Sequence, residues 1–338
     1  MRFKSFSRRE FAQRVLAGLA LVAASCARRQ KTARPQIIPP KKREKVSGMS
    51  KVSLARKSKI DETVAAAIEL AGGMEIPKNA TVLIKVNQNS NDPFPATSNP
   101  DTVAALVRYV KRFAPKRVVV ADASNQYYLP TTSSMETTGL LQAARAAGAE
   151  VIGLEDGEFV PVRPDKASSW EEPFSISKLY LDADYVISQP VVKTHSLAIY
   201  TMALKNTIGV IKQDSRPLMH AAPGPTFWRM IAELNLVRPP DFILLDGWKA
   251  MVTGGPFSGS VKEPHVVIAT RNVLAADAVG LALLKHLGTA NRIQTQSVWE
   301  QPVLKHGVEL NLGAKSREEI EIVSEGVEEV EEIKKNLV

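Results

Sequence analysis

Cysteine is almost absent: Cys26 is the only one in 338 residues. That excludes an intrachain disulfide, a cysteine-rich zinc site and a protein-held iron–sulfur cluster. Aromatic residues make up only 6%, too few for an aromatic-lined sugar or base platform. The uncharged run Val15 to Ser25 has eleven residues, short of the about 20 that span a bilayer. No Gly-x-Ser-x-Gly elbow, His-Glu-x-x-His pair or P-loop spacing occurs, so the standard hydrolase and nucleotide templates do not fit. Positive charge is scarce where a nucleic-acid binder would need it. The net charge is +9, but residues 1–60 hold 17 Lys/Arg against two acids. The remaining residues hold 27 basic against 33 acidic side chains, a net of −6. A fold of that sign does not grip phosphodiester backbones, and nucleic acid is not expected as a partner.

What is present begins with an address. Residues 1–14 are basic and contain Ser7-Arg8-Arg9-Glu10-Phe11; the apolar run follows, and Ala23-Ala24-Ser25 precede Cys26. This is the order of a secretory signal. The Arg pair resembles a twin-arginine signal, although Ala12 and Gln13 depart from the usual Leu and Lys. A generic basic signal is the alternative. Ala23 to Cys26 also resembles a bacterial lipobox, with Ala23 where Leu is preferred; ordinary cleavage nearby is its alternative. Residues 1–26 are thus expected to be a signal, and 27–58 a basic, Pro-containing linker suited to anionic headgroups. The expected partners are the twin-arginine export machinery and the membrane surface. The expected location is the periplasm or outer cell envelope, with a lipid anchor at Cys26.

From Asp61 onward the pattern becomes periodic. Val64, Ala65, Ile68 and Leu70 form a helical face closed by Gly72-Gly73, and Asn99-Pro100-Asp101 has the N-cap, first-position Pro and first-turn acid of a helix start. Short apolar runs at 81–86, 117–121, 150–154, 184–188, 242–245 and 266–269 read as strands, with 320–323 as an edge strand. Helices are expected at 135–147, 200–207, 226–237, 273–287 and 293–305. The Pro-containing stretch 155–180 reads as an excursion. Apolar strands separated by helices predict an α/β fold: a mostly parallel sheet with helices on both faces, a Rossmann-like three-layer sandwich. One domain is expected over 59–323, followed by an acidic tail at 324–338.

In such a sheet, ligands bind beyond the carboxyl ends of the strands. Asn87, Asp122, Ser124, Lys193-Thr194-His195 and Asp246 each follow an expected strand, and Lys205-Asn206 lie on the helix after. Lys193 and His195 are the catalytic candidates, since His titrates near neutrality and a buried Lys can lose its proton. Asn87, Asp122, Ser124, Lys205, Asn206, Gly254 and Gly255 are candidate ligand-binding residues. His195, Asp246 and Asp122 are candidate ligands for a divalent metal. His220 and the loop Gly254 to Gly259 stand next in line. His265, His286 and His306 read as structural, and Asp277 as a cap or a residue facing the sheet end.

Several of these stretches carry a resemblance: Lys85-Val86-Asn87, Ala96-Thr97-Ser98-Asn99-Pro100, Asp122-Ala123-Ser124, Pro190 to His195, Ala203 to Asn206 with Gly209, Asp246-Gly247, Gly254-Gly255-Pro256 with Gly259, and Ala275 to Ala278. Together they resemble the bacterial and archaeal family called domain of unknown function 362. Val86 stands where the family commonly has Pro, and Asn99 where it commonly has His. The resemblance implies a fold and site positions but no reaction. Many members carry a cysteine-rich ferredoxin-like segment that this chain lacks. The layout also has a distant likeness to nickel-dependent lactate racemases, with His and Lys at a site. Two classes of function stand: an exported, tethered enzyme or cofactor protein using a small anionic ligand or a metal, or a non-catalytic envelope binding protein using the same rim.

Overall fold

The computed structural model describes residues 48–124 and 129–338. The expected twin-arginine stretch, Cys26 and the expected linker up to residue 47 lie outside the described residues. Thirteen strands are described: β1 (Ser50–Ala55), β2 (Thr81–Lys85), β3 (Arg117–Asp122), β4 (Glu150–Gly153), β5 (Phe159–Val162), β6 (Phe174–Ser177), β7 (Tyr185–Ser188), β8 (Val191–His195), β9 (Ile199–Thr201), β10 (Phe242–Met251), β11 (Val261–Lys262), β12 (Val266–Thr270) and β13 (Ile320–Glu325).

The main sheet runs β13-β1-β12-β10-β7-β2-β3-β4. The half from β10 to β4 is parallel throughout. β12 is antiparallel to both β10 and β1, and β13 is parallel to β1. Alternate residues of each strand serve opposite faces. Val82 and Ile84 of β2, with Val118 and Val120 of β3, pack under helices 60–70, 100–111 and 140–146. Leu83, Val119, Val186 and Leu245 face the other way, toward helices 203–206, 224–234, 273–287 and 302–309. The result is the expected three-layer α/β sandwich with a mostly parallel sheet.

Local signals account for much of this. Asn99 caps its helix as expected, its Oδ1 accepting from Asp101 N at 3.1 Å. Asn272 does the same for the long helix 273–287, accepting from Leu274 N and Ala275 N. Elsewhere the structure departs from the pattern. The expected helix 135–147 is two helices, 131–137 and 140–146, because Gly139 takes a left-handed φ of 80° between them. The expected helix 200–207 begins as β9, since Ile199 to Thr201 pair antiparallel with β8 before a four-residue helix, Ala203–Asn206, starts. The excursion contains the β5–β6 hairpin and buries Trp170 and Phe174 in the core.

Both domain boundaries also move outward. β1, expected as linker, lies between β12 and β13 with Val52 and Leu54 fully buried. The expected acidic tail holds a helix, 330–335, whose Ile333 joins the core together with Leu337. Glu329 in this stretch pairs with Arg56 just past β1. Charge-rich composition hid one buried face in each segment. Among the described residues no helix is long and apolar enough to cross a membrane.

Candidate functional site

The carboxyl ends of β2, β3 and β8 surround a cleft with a cavity of about 60 Å³, room for a few waters or one carboxylate- or phosphate-sized group. Its floor is an ion pair. Lys85 ends β2 and Asp122 ends β3, and Lys85 Nζ lies 2.8 Å from Asp122 Oδ1. Lys85 also donates to Val86 O at 2.6 Å and Asn206 Oδ1 at 3.2 Å. Asp122 accepts from Gln88 N at 2.6 Å and Ala123 N at 2.7 Å, so both its oxygens are in use. Burial lowers the Lys85 pKa, opposed by Asp122. Gly209 presses its α-carbon against this pair: a β-carbon there would overlap Asp122 Oδ1 and Lys85 Nζ.

Two more cations stand above the floor. Arg216, buried, donates to Ser124 O at 2.9 Å and Ile211 O at 3.2 Å. Lys205 Nζ has no hydrogen bond or ion pair among the described residues. Burial, reinforced by Arg216 and Lys85, brings its amine down to about 8. The helix that carries it is pinned at its start by Asp277, whose oxygens accept from Ala203 N at 2.7 Å and Leu204 N at 3.2 Å.

Two histidines complete the wall. His195 Nδ1 accepts from Leu197 N and Ala198 N, each at 3.1 Å. A nitrogen that accepts carries no proton, so the neutral ring holds its proton on Nε2. Burial of the ring, then Lys205, Lys193 and His220, keep its pKa well below the ordinary value. His220 has the opposite arrangement. Its Nδ1 lies 2.8 Å from Arg216 O, a carbonyl that only accepts, so Nδ1 is the donor and Nε2 holds the lone pair. Burial lowers its pKa as well, aided by Lys205 and Arg216. Asn87 and Asn89 line the same cavity, and each has a buried Oδ1 without a hydrogen-bond partner among the described residues.

The expected site is therefore brought together in part. Asn87, Asp122, His195, Lys205 and Asn206 share the cleft. Lys193 does not line it: the side chain is fully buried, donating to Ala96 O and to Pro256 O. It lies within β8 rather than on a loop after a strand, because the chain beyond Pro190 pairs again with β10. Gly254 and Gly255 shape the mouth without lining it. Gly255, at φ +74°, lies so close to Thr194 O that a β-carbon would collide, and the turn delivers Pro256 and Phe257 to the cleft. Ser124 contributes its carbonyl to Gln213 and Arg216 rather than a hydroxyl to the cavity. Asp246 sits apart within β10, Oδ1 accepting from Trp248 N at 2.8 Å, and burial raises its pKa to about 6.

The domain of unknown function DUF362 matches residues 82–282. The chain belongs to the DUF362 family. It is similar to a thylakoid-associated protein of Synechocystis sp., 26% identical over 219 residues, covering 63% of this chain and 66% of that relative. The chain thus spans just under two thirds of that relative's length. Among solved structures it is similar to the lactate racemase apoprotein from Thermoanaerobacterium thermosaccharolyticum, at 14% identity and a TM-score of 0.43, over 65% of this chain and 56% of that one. A Thermotoga maritima protein is similar at 15% identity and a TM-score of 0.40, over 57% of this chain and 50% of its own.

The DUF362 match encloses every residue of the cleft. It also encloses the expected metal ligands, of which His195 and Asp122 share the cleft and Asp246 stands apart. Among the described residues no three of His, Cys, Asp or Glu form a group able to hold a metal. Asp122 is spent on Lys85 and two amides, His195 Nδ1 on two more, and Asp246 is elsewhere. Of the further cleft residues, the sequence marks Lys85 and Gly209 only through the stretches of family resemblance and Phe257 only within the loop Gly254 to Gly259, and it does not single out Arg216. Lys85 could have been found as the last residue of its strand, two positions before Asn87. Arg216 has no local signal, since it reaches the rim from a helix that the pattern did not show.

Proposed function

We propose that this DUF362 protein is an exported, membrane-tethered protein whose cleft binds a small organic anion. One observation supports the anion above all: Lys85, Lys205 and Arg216 line the cleft against one carboxylate, Asp122, with both histidines neutral. Such an excess of positive charge in a half-closed crevice costs hydration that an anion restores. The unpartnered Oδ1 atoms of Asn87 and Asn89 ask in addition for a hydroxyl or N–H donor on the ligand. A small carboxylate or phosphate ester bearing a hydroxyl meets both demands.

Export rests on Arg8-Arg9 and tethering on Cys26. The name of the Synechocystis relative, a thylakoid-associated protein, accords with a place at a membrane. The test of anion binding is calorimetry with sulfate as the probe. Wild-type protein binds it and Lys205→Met binds at least about tenfold more weakly, a loss of about 1.4 kcal/mol. Equal binding by both would end the reading. For export, Arg8→Lys with Arg9→Lys leaves precursor in the cytoplasm, and Cys26→Ser frees the protein from the membrane fraction. Normal delivery of the double variant would remove the twin-arginine route.

A further inference from the structure

Lys205, His195 and His220 line one small cavity in three complementary states. The amine has no partner among the described residues. One imidazole offers an N–H at Nε2 and the other a lone pair at Nε2, each fixed by what its own Nδ1 does. Binding an anion needs none of this division: two fixed donors would serve. A nucleophile, a hydrogen-bond donor for an oxygen and a proton acceptor together are what addition to a carbonyl requires.

We propose that Lys205 forms a covalent imine with a small 2-oxo acid whose carboxylate lies toward Arg216 and Lys85. This rests on the anion-binding reading of the same cleft and assigns a substrate class to it. The amine lone pair makes the C–N bond as the carbonyl π pair moves to oxygen. His195 Nε2–H hydrogen-bonds that oxygen as its charge grows. His220 Nε2 relays the two amine protons, one after the other, to the same oxygen, which departs as water and leaves a C=N bond. The exchange is amine plus carbonyl for imine plus water, with no oxidant or metal. Burial, with Arg216 and Lys85 nearby, favours the free amine here: a lysine at about 8 rather than 10.5 holds roughly 300-fold more neutral amine at pH 7. The other two lysines of this region are committed, Lys85 to Asp122 and Lys193 to two carbonyl oxygens.

The experiment is reductive trapping. Full-length protein is incubated with pyruvate and sodium borohydride, and the adduct is located by peptide mass spectrometry. The expected result is one secondary-amine adduct at Lys205, at least tenfold above any other lysine. Lys205→Arg keeps the charge and should bind sulfate and pyruvate in calorimetry but give no adduct. His220→Gln should slow trapping at least tenfold when both proteins are compared at saturating pyruvate. Adducts spread evenly over surface lysines, or trapping that persists in Lys205→Arg, would overturn the proposal. Wild-type protein that binds pyruvate or sulfate without forming an adduct would overturn the imine and leave the anion site standing. Absence of binding by either probe would end both.

Discussion

Lys85 Nζ and Asp122 Oδ1 meet at 2.8 Å with both side chains only 3% exposed. This pair closes the carboxyl ends of two neighbouring parallel strands and forms the floor of the cleft. Its members cannot be removed singly. Asp122→Ala would leave a buried ammonium uncompensated, a loss that typically costs about 3–5 kcal/mol.

The approach of Gly209 to that pair makes a first prediction. Gly209→Ala places a methyl where Asp122 Oδ1 and Lys85 Nζ now sit, so the ion pair must move or separate. Urea denaturation should show a loss of about 1–3 kcal/mol, the usual range for overpacking. Sulfate binding should weaken with it. A variant as stable as wild type with unchanged affinity would mean that the floor is compliant.

Sulfate affinity should fall as pH rises from 7 to 9. Sulfate keeps its charge over that range, whereas Lys205 loses its proton near 8. The two histidines are already neutral there and add no slope. Lys205→Arg should abolish the dependence, because a guanidinium stays charged. Calorimetry at three pH values on both proteins decides it, and equal slopes would assign the effect to another group.

Asp277 acts on the site from beneath. It holds the amides of Ala203 and Leu204, the start of the turn that carries Lys205 and Asn206. Asp277→Ala frees two buried N–H groups, each costing about 1–3 kcal/mol when left unpaired. The expected outcome is a lower melting temperature together with severalfold weaker sulfate binding. Lost stability with unchanged affinity would show that the helix keeps its place without this anchor.

His306 gives a pH-dependent stability away from the cleft. Its Nε2 lies 3.2 Å from buried Glu233 and its Nδ1 2.7 Å from Glu309. The Glu233 bond, opposed by burial, raises its pKa above the ordinary 6.5. A raised histidine contributes stability that is full below the unfolded value and is lost as pH rises through the folded one. The urea midpoint of wild type should therefore fall as pH climbs above about 6.5. His306→Gln should be less stable at low pH and fall less steeply across that window, where the raised carboxyls of Asp246, at about 6, and Asp277, at about 7, add a decline of their own. His195 and His220 are shifted downward and act only below it. A wild-type midpoint that does not fall would place the histidine outside this linkage.

Local pattern carried the fold class a long way. β-branched runs such as Arg117 to Ala121 became strands, Asn99 became a cap, and Asn87, Asp122, His195, Lys205 and Asn206 met at one rim. Each rests on a short-range cause: side-chain alternation, a capping oxygen, or the rule that parallel strands end on one edge. Composition misled where one apolar face hid among charges, as at Val52 and Leu54 in the basic stretch and Ile333 in the acidic one. It misled again at Lys193 and Lys205, two lysines twelve residues apart that the residue types do not distinguish. Which of them is free depends on contacts far along the chain. Ala96 and Pro256 hold Lys193, while Arg216 and Lys85 crowd Lys205 without binding it. Charge and hydrogen-bonding capacity are properties of the residue; whether they are spent or available is set by the neighbours that the tertiary structure supplies.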